Sequence, residues 1–332
     1  MTAAIVAQAF TSVNPQLSLP KLDDIGAGMP VTSERQQLPE AVSGYIAAAL
    51  ADNSRRAYQG DLQDFLQWGG AVPSTPETLV AYIAARAGVH SPFTITRRVV
   101  GISRAHTSQG LADPAKNDLV RVVLRGVRRT HGKPQRQAAP LLKQDLLSLL
   151  PLIAEDAKGI RDRALLLLGF AAALRRSELV ALDVTDVSFV NDGMLVHLRK
   201  SKTDQEGEGR TIAVPTGRTS VCAVKAIQHW LKHAEIQSGA IFKSVSKSGV
   251  IGDRLTAQSV ALVVKHYAKS AGLPAFDFSG HSLRSGLVTS AAQAGASILK
   301  LKEQTGHKSD AMLYRYIRAG NQFVGNAAGM VL

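Results

Sequence analysis

The stretch Ala164-Leu-Leu-Leu-Leu-Gly-Phe-Ala-Ala-Ala-Leu-Arg-Arg-Ser-Glu178 runs eleven apolar residues straight into two arginines and a glutamate. Its length and composition predict a buried helix over residues 160–174, and an arginine carried out on the end of such a helix is costly unless it meets an anion. Glu178 lies about one helical turn beyond Arg175. Taken alone, the pair reads equally as a structural ion pair or as the edge of an anion site, with Arg176 the solvated neighbour. A domain organised around such a helix is mainly α.

Working outward toward the C-terminus, apolar periodicity predicts further helices over residues 142–153, 220–233 and 257–271. Alternation over 194–198 and 210–214 predicts one short strand pair around a polar loop, 200–209, which carries Lys200 and Lys202. His281 and Arg284 stand three residues apart and share a helical face, with Ser279 as the expected N-cap and His281 in the first turn. There the positive end of the helix dipole attracts phosphate and favours neutral imidazole. Gly306-His307 precedes a helix expected over 310–318 that bears Tyr314 and Tyr316. Free tyrosine, with a pKa of about 10, is a poor nucleophile at neutral pH and needs nearby cations to favour the phenolate. Each motif has a plain structural explanation when isolated: a solvated loop lysine, a surface His-Arg pair, a packed tyrosine. Together they are the parts for attack on a phosphodiester without a metal. Two arginines, Arg175 and Arg284, can clamp non-bridging oxygens, histidines such as His281 and His307 can donate or accept protons, a lysine such as Lys202 can protonate a leaving oxygen, and a tyrosine can hold the phosphate covalently.

Working outward toward the N-terminus, residues 131–140 (His-Gly-Lys-Pro-Gln-Arg-Gln-Ala-Ala-Pro) are polar, proline-bounded and aperiodic, the composition of a linker. Before it, Tyr58, Leu62, Phe65 and Leu66, then Leu79, Tyr82 and Ile83, recur at helical spacing, with breaks at Gly69-Gly70, Pro73, Gly88 and Gly110. A small helical bundle over 35–130 is expected, followed by a second domain over 141–332. Arg121, Arg125, Arg128, Arg129, Lys133 and Arg136 gather near its end with no acid between Arg121 and Arg136, and are the candidate DNA contacts. The competing reading is a solvated helix face. Residues 1–34, with three prolines and little periodicity, read as a flexible arm.

The bulk properties agree with a nucleic-acid partner. Lys and Arg number 39 against 26 Asp and Glu, a net charge of +13, which is more than solubility requires. The single cysteine, Cys222, sits in an apolar stretch and reads as packing, so no disulfide framework exists and a reducing cytoplasm is expected. The eleven-residue apolar run falls short of the roughly 20 residues a membrane span needs, and no signal-peptide pattern opens the chain, so no membrane association is expected. No carboxylate cluster with metal-ligand spacing lies near these motifs, so neither metal nor cofactor is expected.

The strings Ala173-Leu-Arg-Arg-Ser-Glu-Leu179, Ser279-Gly-His-Ser-Leu-Arg284, Gly306-His-Lys-Ser309 and Tyr316-Ile-Arg318 resemble, in type and order, the signature boxes of the tyrosine recombinase (phage integrase) family. The Ser-Gly-His-Ser and Tyr-Ile-Arg strings and the short tail look most like those of the Cre recombinase, although Cre has tryptophan where this chain has His307. The resemblance implies a mainly α, two-domain protein: an N-terminal helical core-binding bundle, SAM-like, and a C-terminal α+β catalytic domain with a small β-sheet. It further implies Arg175 and Arg284 as the phosphate clamp, His281 as the proton-handling histidine, Glu178 as a supporting acid, and Lys202, or Lys200 in another loop register, as the general acid. His307 matches the second histidine box. Tyr316, nine residues after it, is selected as nucleophile over Tyr314. The implied activity is site-specific recombination of double-stranded DNA through a 3′-phosphotyrosyl intermediate, on an inverted-repeat site, by a homotetramer joining two sites. A type IB topoisomerase activity and a non-catalytic DNA-binding protein are the alternatives.

Overall fold

Proline at the first helical position and a hydroxyl just before it set the starts of two N-terminal helices in the computed structural model. That structure describes residues 50–134, 136–199, 209–217, 219, 221–307, 309–311, 313, 314 and 316. The expected arm (1–34), Lys200, Lys202 and residues 317–332 lie outside the described residues. The chain divides into two compact units, one ending at Gln135 and the other starting at Arg136.

In the first unit the helices are α1 (Asp52–Gln67), α2 (Pro76–Arg86), α3 (Pro92–Thr107) and α4 (Asp118–His131). Thr75, Ser91 and Asn117 accept backbone N–H bonds at the starts of α2, α3 and α4, with Pro76 and Pro92 placed where a missing N–H does no harm. Leu62, Phe65, Leu79, Tyr82, Ile83, Ile95, Val99 and Ile102 close one apolar core. Asp64 ties three helices together, accepting from the Tyr82 hydroxyl at 2.7 Å, from Arg86 Nε at 3.0 Å and from Arg98 at 2.7 Å.

The second unit contains α5 (Lys143–Leu149), α6 (Ala157–Ala171) and α7 (Arg176–Ala181), then strands β1 (Val187–Val190), β2 (Gly193–Leu198) and β3 (Arg210–Pro215). After them come α8 (Ala223–His233), β4 (Lys243–Val245), β5 (Ile251–Arg254), α9 (Ala257–Ser270), α10 (Ser282–Gln293) and α11 (Ile298–Thr305). The strands form two antiparallel sheets, β1-β2-β3 and β4-β5, where the sequence led us to expect one strand pair. β1 escapes a pattern reading because three of its four residues are exposed, so its apolar side chains do not alternate with burial. The two-residue Asn191-Asp192 turn, which pairs Val190 with Gly193, was the available signal. The β2–β3 ladder ends at Leu198 paired with Arg210, so the lysine-bearing loop leaves from that end.

Helix α6 also stops earlier than expected, at Ala171. Ala173 adopts a left-handed φ of 50°, and its N–H bonds to Phe170 O while that of Leu174 bonds to Gly169 O. Those two bonds make a complete Schellman turn with alanine where glycine is usual. A non-glycine residue there costs about 1–2 kcal/mol, and without the glycine the stop signal is hidden.

The segment expected to be an aperiodic linker, 131–140, is not uniformly so. His131 closes α4. Ala139 N–H bonds to Asp277 O at 2.8 Å, and just beyond the segment Leu141 N–H bonds to Ser282 O at 2.9 Å, because fully buried Leu141 anchors the core of the second unit. Gly286 permits this approach: a Cβ there would lie 1.8 Å from Leu141 O.

Candidate active site

Arg284 is the centre of the arrangement. Carried on the first turn of α10, it is fully buried, and its guanidinium donates to two main-chain oxygens, Ala173 O and Thr305 O, each at 2.7 Å. Burial first, then the neighbouring Arg175, pushes its pKa down to about 10, so it remains cationic at neutral pH. Its Nε is buried with no hydrogen-bond partner among the described residues. A buried charged donor left open is expensive, and an anion would repay it.

Arg175 is not the end of α6, as expected, but the residue that caps α7. The Schellman turn reverses the chain so that Arg175 N–H donates to Glu178 Oε2 at 2.8 Å and its guanidinium to Oε1 at 2.5 Å. Glu178 is buried, and Arg176 is exposed. The structural pairing of Arg175 with Glu178 and a role for Arg175 at the site are therefore compatible: the carboxylate fixes the arginine while leaving part of it accessible.

His281 precedes α10 as its N-cap residue, one position earlier than the expected first turn, with its N–H on Ser279 Oγ at 3.1 Å. Its Nε2 lies 2.6 Å from the Tyr316 hydroxyl across 35 residues of chain. Desolvation by the surrounding protein, then the cations Arg284 and Arg175, lowers its pKa, favouring the neutral imidazole that can accept a proton. His307 is pushed further, to about 4, by burial and then by Arg284 and Arg175. The hydrogen-bond network assigns its tautomer: Nε2 accepts from Arg284 Nη2 at 3.3 Å, and Nδ1 donates to Thr305 Oγ1 at 2.7 Å, which in turn donates to Leu301 O at 2.6 Å.

Tyr316 sits between the two imidazoles, with ring centroids 6.0 Å from His281 and 6.2 Å from His307. Its ring packs against the small cluster of Val288, Ala292, Leu301 and Leu313, whereas Tyr314 is exposed. Of the seven residues singled out in the sequence, six converge here, and Lys202 falls outside the described residues.

Two participants were missed. Thr305 orients His307 and carries no sequence signal beyond its place before Gly306-His307. Arg210, read only as a strand start, donates to Gln304 O at 3.0 Å, and its Nη2 comes 4.0 Å from Glu178 Oε2.

The candidate DNA-binding cations separate into two groups. Arg121, Arg125, Arg128 and Arg129 are exposed along α4, although Arg121 pairs with Asp118 one turn back. Lys133 is exposed beyond the helix. Arg136 belongs to the second unit, where it pairs with Asp277 and lies 3.6 Å over the Phe276 ring. Among the described residues no helix is long and apolar enough to cross a membrane.

Comparison with known proteins points the same way. The sequence pattern of the phage integrase family matches residues 140–322. An integrase/recombinase XerD homolog of Selenomonas ruminantium is 41% identical over 293 residues, spanning 85% of this chain and 86% of that protein. The tyrosine recombinase XerC of Herpetosiphon aurantiacus is 27% identical over 300 residues, 86% of this chain and 92% of its own. In fold, the chain is similar to the XerH site-specific recombinase bound to palindromic difH substrate in a post-cleavage complex, with a TM-score of 0.63 at 17% identity over 87% of this chain and 82% of that one. It is also similar to a lambda integrase dimer bound to a COC' core site, with a TM-score of 0.56 at 16% identity over 81% and 72% of the two chains. These relatives support the wider family and not the narrower likeness to Cre.

Proposed function

The chain belongs to the phage integrase family, tyrosine recombinases that cleave and rejoin DNA, and on that premise we propose that it recombines a specific duplex site with Tyr316 as nucleophile. The observation that carries this reading is the 2.6 Å contact of the Tyr316 hydroxyl with His281 Nε2. In the first step the Tyr316 oxygen bonds to phosphorus, the bond to the 5′ oxygen breaks, and the phenol proton passes to neutral His281. Lys202, or Lys200, delivers a proton to the departing 5′ oxygen. A 5′ hydroxyl of the partner strand then attacks the 3′-phosphotyrosyl link and frees Tyr316. Each transesterification exchanges one ester for another, so neither metal nor nucleotide cofactor is consumed.

Arg175 and Arg284 bear the phosphorane charge in this scheme, Glu178 holds Arg175, and His307 buttresses Arg284. The first unit serves as the core-binding domain, with the exposed arginines of α4 on the phosphate backbone, and residues 131–140 join it to the catalytic domain. The apolar tail, Phe323 to Leu332, docks on a neighbouring protomer and closes a homotetramer around two inverted-repeat sites. The protein acts in the cytoplasm on nucleoid DNA. That its relatives are described as recombinases favours this activity over topoisomerase relaxation.

The decisive assay incubates the protein, in EDTA, with a nicked duplex carrying a site selected by its own binding. Wild type should form a denaturation-resistant adduct. Tyr316→Phe, which removes the nucleophile and keeps the ring, should form none while binding the duplex as before. Cleavage retained by Tyr316→Phe would overturn the assignment, and cleavage lost in EDTA would overturn metal independence.

A further inference from the structure

Arg210 opens β3 just after the lysine-bearing loop, and its side chain crosses to the end of α11, more than ninety residues further along the chain. Nη1 donates to Gln304 O at 3.0 Å and approaches Glu303 O at 3.5 Å. These carbonyls belong to the last turn of a helix, where main-chain oxygens lack helical partners and the dipole favours a cation. The next residue is Gly306, left-handed at φ 67°, and then His307. A side chain at 306 would begin 2.9 Å from the Arg210 guanidinium, so the arginine occupies the space the glycine leaves open. On its other side, Nη2 is buried without a hydrogen-bond partner among the described residues and faces Glu178 Oε2 at 4.0 Å. The Glu178 carboxylate is the group that holds Arg175. Arg210 also lies close enough for its charge to depress the pKa values of both Arg284 and His307.

We propose that Arg210 is a positioning residue for strand cleavage, fixing the α11–Gly306–His307 turn against the Arg175–Glu178 pair so that both sides of the phosphate site keep one geometry. The inference rests on the recombinase reading above. An arginine suits the task because its planar fork can address the helix carbonyls with one nitrogen and the carboxylate with the other, which the single ammonium of lysine cannot do. Arg210 is also the first ladder residue of β3, paired with Leu198, so its side chain links that end of the β2–β3 ladder to the His307 turn. A residue that merely capped α11 would affect folding and leave the cleavage step alone.

The test is a double-mutant cycle on the selected, nicked duplex at saturating DNA, scored as the first-order rate of adduct formation, with the half-site Kd measured alongside. Arg210→Gln should slow the adduct by roughly tenfold or more with Kd within about twofold. The same change in a His307→Asn background should cost less than about twofold, because residues acting as a unit are not additive. A wild-type rate for Arg210→Gln, or penalties that multiply, would overturn the proposal. If Arg210→Gln loses its cooperative melt, Arg210→Lys replaces it, with at least a threefold slowing expected and the same lack of additivity; a wild-type rate there also overturns it. Wild-type protein that forms no adduct would instead defeat the recombinase reading itself.

Discussion

At the scale of single residues, the site depends on keeping histidines neutral among arginines, and this has a consequence for stability. His307 titrates near 4 in the folded chain and near 6.5 when unfolded, so between those values the unfolded state binds more protons. Its contribution is therefore complete above about pH 6.5 and is lost as the pH falls toward 4. Urea midpoints at pH 7 and pH 4.5 should fall further for wild type than for His307→Asn; equal losses would mean that the imidazole is not held neutral. The chemical residue types at the site were legible in the sequence because arginine, histidine and tyrosine in that order have few other uses together. Thr305 and Arg210 were not legible. A threonine and a strand arginine are common, and only the path of the chain brings them to His307.

At the scale of elements, close backbone approach decides where the arginines stand. The entry segment of the second unit lies against α10, with Leu141 N–H on Ser282 O and Lys143 N–H on Ser290 Oγ, and Gly286 leaves the room. Gly286→Ala would set a methyl 1.8 Å from a carbonyl oxygen, a clash that only a backbone shift relieves. We expect a loss of roughly 2–3 kcal/mol in chemical denaturation, together with slower cleavage, since Arg284 lies within one turn of the displaced helix. Unchanged stability would show that the segment yields freely. Helices were readable from three and four spacing, since burial imposes it on one face. The end of α6 was not, because alanine at position 173 takes the conformation that glycine would have advertised.

At the scale of the whole molecule, the charge of +13 implies binding that weakens steeply with salt. Each phosphate neutralised contributes about 0.9 to the slope of log affinity against log salt. Replacing Arg125, Arg128 and Arg129 together with glutamine should reduce that slope by roughly two to three; an unchanged slope would return the α4 arginines to the role of a solvated face. Assembly is expected to depend on the C-terminal tail. Deleting residues 322–332 should leave half-site binding intact and abolish cooperative assembly on the full site in gel-shift titrations, and a truncated protein that still assembles would assign the tail to packing within its own chain.

The two oxygens that hold Arg284 both belong to the main chain, at Ala173 and Thr305. A main-chain carbonyl is present whatever residue occupies the position, so substitution at 173 or 305 changes the local comfort of the turn without deleting the arginine's anchor. The grip on that cation is thus inherited with the course of the backbone. A replacement at either position therefore leaves the arginine its acceptor, where a site built from side-chain partners would lose one.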